Sequence, residues 1–553
     1  MKFLDSELFS SLDRAFARWI AGQVKTDNEL LALVAALLSR QLSEGHTCLD
    51  LAEAMQDPAL SGYFPVNTMS LLEKHPFISH DDSMQQPFII KDNNIFLYRY
   101  WKYEERLSKA LRSLAVSTKG CVTEESRLQS ALDIHFPDKE DLQRKAVHTA
   151  LTKSLCIITG GPGTGKTWTL ARMLAVLRTL DPSGTFRVAL AAPTGKAAHR
   201  MEEALRETLP GSDHATYTLH RLLRPVRDTP YFRYNAENPL PFDMVVVDEA
   251  SMADLALLSK LTDALPEDGR LVLIGDKDQL ASVEPGSVLG DICLACASSD
   301  LLQGCLVELT RQHRFKGNSQ IETLAAAVKS GNAAEAVAIL NSSGNLISPP
   351  EGNRFQSMLK LKMEPVLKTL SRARTPEELL EEIDRFRILC VTNTGRAGKD
   401  SLNLGLSALA RKQAGRPDAA GPYHGMPVMC LENDYTLGLF NGDTGVIGAS
   451  GQGLRAFFRT EGANLRNILP GRLPLHDTCY AMTIHKAQGS EFEKVLLILP
   501  DKMTPLLTRE IFYTAITRAK EHIEVWGRPE ILEMTVLQQR KRYSGLIQKL
   551  TKF

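Results

Sequence analysis

The chain has no excess charge, few cysteines and no long apolar run. Its 65 Lys and Arg residues are matched by 65 Asp and Glu. That balance argues against a bulk polyelectrolyte binder and leaves room for a local basic groove. Nine cysteines in 553 residues are too thinly spread for a disulfide scaffold and suit a reducing cytoplasm. Cys293 and Cys296 form a C-x-x-C with no second pair nearby, so core packing is expected over zinc or redox chemistry. The 13 histidines show no metal-ligand spacing. No run of about 18 apolar residues occurs, so no membrane span is expected. The N-terminus mixes acids among its apolar residues, unlike a secretory signal. A cytoplasmic protein is the expectation.

What is present is an ordinary globular composition, 43% apolar and 24% charged. At roughly 100–200 residues per domain the length allows about three to five domains. The neutral total is a cancellation. Residues 1–90 hold 12 acids and 6 Lys or Arg, so the remainder carries about +6. Residues 1–110 read as a mostly helical module, with Leu30, Leu31, Leu33, Val34, Leu37 and Leu38 at helical spacing. An extended pair, 87–90 and 95–98, is expected to turn at Lys91, Asp92, Asn93 and Asn94. Nothing in the module looks catalytic, and its acidity favours docking onto another protein over contact with phosphates.

From about residue 140 short apolar strands alternate with helical segments. Strands are expected at 155–159, 187–192, 244–247 and 271–274, then at 387–391, 495–499 and 522–526. The alternation predicts parallel α/β layers, and two sets predict two α/β domains, 111–335 and 336–553. A glycine-rich stretch, about 422–478, reads as a small β-barrel inserted in the second. Residues 538–553 carry Arg540, Lys541, Arg542, Lys549 and Lys552 with no acid. They read as a solvated C-terminal helix, with a nucleic-acid contact as the alternative.

Gly160, Gly161, Pro162, Gly163, Thr164, Gly165, Lys166 and Thr167 fit G-x-x-x-x-G-K-[ST] between an apolar strand and a helical segment. Backbone N–H groups of such a loop wrap phosphates, and the helix N-terminus adds a favourable dipole. Lys166 is expected to neutralise the β- and γ-phosphate oxygens of ATP, and the Thr167 hydroxyl to ligate Mg²⁺. A magnesium phosphate site needs a carboxylate at a nearby strand end. Asp248 and Glu249 follow four apolar residues and supply it. Asp248 would hold the ion, usually through water, and Glu249 would orient or deprotonate the attacking water. Gln279, in Gly275-Asp276-Lys277-Asp278-Gln279-Leu280, could sense the γ-phosphate, or the segment could be a simple loop turn. The Gln143 amide, about seventeen residues before the loop, can read an adenine edge.

Two more segments complete the pattern: Ala192-Pro193-Thr194-Gly195-Lys196-Ala197-Ala198, and Asp248-Glu249 continued by Ala250-Ser251. With the P-loop and the 275–280 segment, the set resembles superfamily 1 helicases. The later half agrees: 309–315 is similar to the fourth motif, 483–491 to the fifth and 513–519 to the sixth. Thr218-Leu219-His220-Arg221 and the segment from Asn433 to Asp443 narrow the resemblance to RecD-type helicases. One departure is His313, where an aromatic Tyr often precedes the arginine.

The resemblance implies two RecA-like P-loop NTPase lobes, with an SH3-like barrel in the second and cleft hydrolysis of ATP between them. Arg314 and Arg518 would reach the γ-phosphate from the second lobe, and Glu491 would line the nucleotide. An arginine finger is worth roughly 10³–10⁵ in rate, so closing the cleft can gate hydrolysis. Strand contacts are expected from Thr194, His220, Thr483 and His485, through hydroxyls and backbone groups that add no net charge. For His220 and His485 plain packing is the alternative. The family further implies 5′→3′ translocation on single-stranded DNA and a heterotrimer with RecB- and RecC-like subunits that acts at duplex ends in double-strand-break repair. Two readings stay open here: a stand-alone helicase of the same type, and a subunit that uses ATP to regulate DNA binding without processive unwinding.

Overall fold

The computed structural model describes all residues except 25–27, 120, 122–123, 210–214, 312–318, 414–419, 435, 452, 460–464 and 553. The N-terminal module is helical, as expected, but also holds a four-stranded sheet. Its strands are β1 (Cys48–Asp50), β2 (Ile78–Ser79), β3 (Phe88–Lys91) and β4 (Asn94–Leu97), in the order β1-β4-β3-β2. The hairpin β3–β4 closes with Lys91 opposite Asn94, and Asp92 takes φ 53° at its tip. Asp tolerates that left-handed turn better than most residues.

The first α/β lobe is a six-stranded parallel sheet. It comprises β5 (Leu155–Gly160), β6 (Val188–Ala192), β7 (Thr216–Thr218), β8 (Met244–Val247), β9 (Arg270–Gly275) and β10 (Leu306–Leu309), ordered β10-β5-β9-β8-β6-β7. Successive residues feed opposite cores. Leu155, Ile157, Val245 and Val247 pack on one face, and Cys156, Ile158, Met244 and Val246 on the other. Burial on both faces is why these strands read as continuous apolar runs.

The second lobe is a five-stranded parallel sheet of β11 (Leu346–Ile347), β12 (Phe386–Cys390), β18 (Ala481–Thr483), β19 (Phe492–Ile498) and β20 (Ala519–Trp526), ordered β11-β20-β19-β12-β18. The helices Ser319–Ser330 and Ala333–Ser342 pack Ile321, Leu324, Val328 and Leu340 into this lobe's core. Between β12 and β18 the chain forms an antiparallel sheet. Its strands are β13 (Met426–Cys430), β14 (Thr444–Ser450), β15 (Gly453–Arg459), β16 (Leu465–Ile468) and β17 (His476–Thr478), ordered β16-β15-β14-β13-β17.

The C-terminal segment is not a solvated helix. Beyond the helix Pro529–Leu537 it leaves lobe 2 and straps the N-terminal module to lobe 1. Arg540 donates to the Glu44 carbonyl, and Arg542 donates to the carbonyls of Ser282, Glu284 and Gly286. Tyr543 stacks on His46 at 5.0 Å. Leu546 and Leu550 of the helix Leu546–Thr551 enter the lobe 1 core. Backbone carbonyls thus engage both arginines that looked free in the sequence, and apolar burial fixes the helix behind them.

Candidate functional site at the lobe junction

The P-loop leaves the carboxyl end of β5 and enters the helix Lys166–Leu180, so the loop's N–H groups and the helix N-terminus face one cleft. Gly163 and Gly165 take φ 78° and 82°, a backbone that a side chain at either position would strain. Lys166 Nζ donates to the carbonyls of Gly160 (2.7 Å) and Gly161 (3.0 Å). Gln143, buried, donates from Nε2 to the Thr164 carbonyl at 3.1 Å. Part of its amide is therefore committed to shaping the loop.

Asp248 and Glu249 leave β8, two strands from the P-loop strand, and Asp248 accepts the Glu249 N–H at 2.8 Å. Burial, then the Glu249 charge, raises the Asp248 pKa, while Lys166 and Arg200 oppose the rise. Glu249 itself sits at φ 51°, ψ 38°. A non-glycine residue held there costs of order 1 kcal/mol or more and marks sites where geometry takes precedence over ease. Half-buried Thr167 begins the P-loop helix beside Lys166. No group of three or more His, Cys, Asp or Glu that could hold a metal occurs among the described residues. A divalent ion would therefore rest on Thr167 and Asp248 and on oxygens brought by a phosphate and water.

The segment after β9 reaches into the second lobe, where Leu280 is part of the core. Asp276 is buried and accepts from Gln279 Nε2 (2.9 Å) and from the Tyr513 hydroxyl (3.2 Å). Gln279 Oε1 accepts from Arg518 Nη2 at 2.9 Å. The Arg518 guanidinium also donates to the carbonyls of Thr514 and Ser490, and burial lowers its pKa. Leu280 N–H donates to Thr514 Oγ1, and Gln488 Nε2 donates to the Leu280 carbonyl. The sheet edge carrying the P-loop thus meets the second lobe through buried polar bonds. Arg314 and His313 lie outside the described residues.

Arg200 is the functional-looking residue the sequence did not announce. It donates to the Gly489 carbonyl and pairs with Glu491 at 3.4 Å across the lobes. Its one sequence signal is its position on the helix Gly195–Thr208, which starts at the expected strand-contact segment. Glu491 is thus engaged with Arg200, with Lys520 further off at 4.0 Å.

Next to three of the four expected strand contacts, the neighbouring residues Gly195 and Lys486 meet one loop of the antiparallel sheet at Phe440 and Asn441. Thr194 caps the helix Gly195–Thr208 by accepting the Ala197 N–H at 3.2 Å. A Cβ on Gly195 would lie 2.8 Å from Phe440, so only glycine admits that approach. Lys486 Nζ, next to His485, donates to Asn441 Oδ1 at 2.7 Å. Thr483, buried at the end of β18, accepts the Lys486 N–H at 3.4 Å. Burial and the charges of Arg540 and Arg542 push His485 down to about 4. Lys196 is pushed down to about 8 by burial, then by Arg200 and Arg387. His220 is exposed and lies beside Phe232, 5.8 Å between rings. Among the described residues no recorded contact joins it to the other three.

A P-loop lobe closed against a second lobe that contributes a buried arginine is the arrangement of a two-lobed P-loop ATPase. Three family models match: "RecBCD enzyme subunit RecD, N-terminal domain" over 5–96, an AAA domain over 143–285, and a UvrD-like helicase C-terminal domain over 478–525. The RecBCD enzyme subunit RecD of Mycolicibacterium smegmatis is 36% identical, over 94% of this chain and 93% of its own length. The RecD subunit of Haemophilus influenzae is 31% identical, over 99% and 98%. A solved Bacteroides Pif1 helicase with ADP-AlF3 and single-stranded DNA is 18% identical with a TM-score of 0.39, over 73% of this chain and 92% of that one. The chain belongs to the RecD family of RecBCD enzyme subunits, DNA helicases of recombination and repair.

Proposed function

We propose that this chain is the 5′→3′ motor of a RecBCD-type heterotrimer, translocating on single-stranded DNA from a duplex end alongside RecB- and RecC-like subunits. Residues 1–110 would dock onto those partners, and 111–335 and 336–553 would form the two motor lobes, except that 319–335 packs with the second lobe and 538–553 with the first; 422–478 would be a small SH3-like barrel guiding the strand. The observation that carries the motor part of the reading is the bond from Arg518 of one lobe to Gln279 of the other at 2.9 Å, while the partners rest on likeness to RecD subunits over nearly the whole chain. That bond sets a donor-only guanidinium within the cleft that the P-loop faces.

When bound, ATP supplies the phosphoanhydride whose hydrolysis drives the cycle. Lys166 would leave the carbonyls of Gly160 and Gly161 to neutralise phosphate oxygens, and the loop 160–165 would offer its N–H groups. Thr167 and Asp248 would hold Mg²⁺, and Glu249 would orient the attacking water. Gln143 and Glu491 would border the nucleotide. Arg518, with Arg314, would stabilise charge developing on the transferred phosphoryl group. Thr194, Thr483 and His485 would hold the strand from the two lobes in turn, with His220 further out on lobe 1. Relative motion of the lobes then advances the strand.

Strand displacement on duplexes with a 5′ or a 3′ single-stranded tail tests the reading. The 5′-tailed duplex should open, and Lys166→Gln should abolish opening while the melting temperature stays within a few degrees. Preference for the 3′ tail, or unwinding by Lys166→Gln at the wild-type rate, overturns it.

A further inference from the structure

Tyr513, in the sixth motif segment, reaches from lobe 2 to the P-loop. Its hydroxyl is buried, donates to Asp276 Oδ2 at 3.2 Å, and lies 3.1 Å from where a Cβ on Gly161 of the P-loop would be. Burial and the nearby Asp276 and Asp278 charges raise its pKa far above the ordinary phenol value, so it stays a donor. The same Asp276 oxygen accepts Gln279 Nε2 at 2.9 Å, and Asp276 Oδ1 accepts the Asp278 N–H at 3.0 Å. Because Asp276 takes the amide's N–H, Gln279 presents its oxygen to Arg518, which can only donate. The chain of bonds thus runs from lobe 2 through lobe 1 and back, and both its ends, Tyr513 and Arg518, belong to one short segment of lobe 2.

We propose that Tyr513 is a positioning residue that links the state of the P-loop to Arg518. Its hydroxyl, set between Gly161 and Asp276, holds the Asp276–Gln279 pair in the orientation that receives the arginine. This rests on the nucleotide-site reading given above. Removing the hydroxyl leaves the ring and its packing but frees Asp276 and Gln279 to turn, and Arg518 loses its fixed acceptor. A buried network of this sort fails as a unit, so losses along it are not independent.

The test uses the full-length chain, saturating single-stranded DNA, and Tyr513→Phe, Gln279→Ala and the double variant. Tyr513→Phe should lower kcat for ATP about tenfold, with KM for ATP and the Kd for a fluorescent ADP analogue both within twofold. A tenfold loss corresponds to about 1.4 kcal/mol. In the Gln279→Ala background Tyr513→Phe should cost less than a further twofold, which a merely structural tyrosine would not show. Asp276→Ala, which keeps Tyr513 in place but removes the oxygen that receives both its hydroxyl and Gln279, should reproduce the kcat loss and serves if Tyr513→Phe melts early. Wild-type kcat in Tyr513→Phe and in Asp276→Ala, a rise in KM alone, or a full tenfold loss on top of Gln279→Ala overturns the proposal. If Lys166→Gln binds the ADP analogue and turns over ATP normally, the nucleotide-site reading fails instead, so the two failures are distinct.

Discussion

Glu104→Gln should loosen the strap that fastens the chain's two ends together. Glu104 is fully buried on the helix Tyr98–Val116, which also packs Leu107 and Leu111 into lobe 1. Its Oε1 accepts from Thr47 Oγ1 at 2.6 Å, Gly545 N–H at 3.1 Å and Ser544 Oγ at 3.3 Å. Its Oε2 pairs with Lys549 at 3.1 Å. A glutamine of the same shape keeps its oxygen on the three donors and turns an NH2 toward the ammonium, leaving Lys549 without its counter-charge. Breaking a buried pair from one side costs roughly 3–5 kcal/mol. The Phe96 and Trp101 rings, each 5.1 Å from Lys549 Nζ, still attract the cation, so the lower end applies, about 3 kcal/mol. Hydrogen exchange reads the opening directly. The amides of Thr47, Tyr543 and Gly545, bonded to the Tyr543 carbonyl, His46 Nδ1 and Glu104, should exchange about 150-fold faster. Amides of β19 in lobe 2 should not change. Acceleration below threefold at all three strap amides would mean that the Glu104–Lys549 pair does not hold the strap.

Two further outcomes follow from single contacts. His485 falls from 6.5 to about 4 in the folded chain, so the unfolded chain takes up a proton first as pH drops. Its contribution is present above pH 6.5 and lost between pH 6.5 and 4, at most about 3 kcal/mol. His485→Asn should flatten that part of the profile in urea unfolding at about pH 7 and about pH 4.5, and an unchanged slope would count against it. Gly195→Ala drives a Cβ against Phe440 and should cost about 1–3 kcal/mol by calorimetry. Most of that should return when Phe440→Ala is added, and melting equal to wild type in the single variant would contradict the contact.

The parallel sheets were legible in the sequence because both faces of each are buried. The strand 244–247 is observed with the expected bounds, and its neighbours differ by one to three residues at their ends. β7, β10, β11 and β18 were not expected, being two to four residues long and lacking a sustained apolar run. The hairpin β3–β4 was expected one residue off at each strand, since its turn narrows to Asp92 and Asn93. The P-loop and the Asp248-Glu249 pair were readable as local motifs next to strands. Arg200 and the Tyr513–Asp276 bond were not, because they arise only when residues hundreds apart in sequence meet at the lobe junction. The basic tail misled for the same reason: its partners are backbone carbonyls for Arg540 and Arg542 and carboxylates of the distant N-terminal region for Lys549 and Lys552, which local composition does not reveal.

Arg518 of the second lobe should complete the P-loop site for hydrolysis. Steady-state ATP hydrolysis by Arg518→Ala, with saturating single-stranded DNA and alongside ADP-analogue binding, decides whether it does. A fall in kcat of about 10³ or more is expected, with nucleotide affinity within about threefold. A kcat within tenfold of wild type would mean that the P-loop lobe hydrolyses ATP without Arg518.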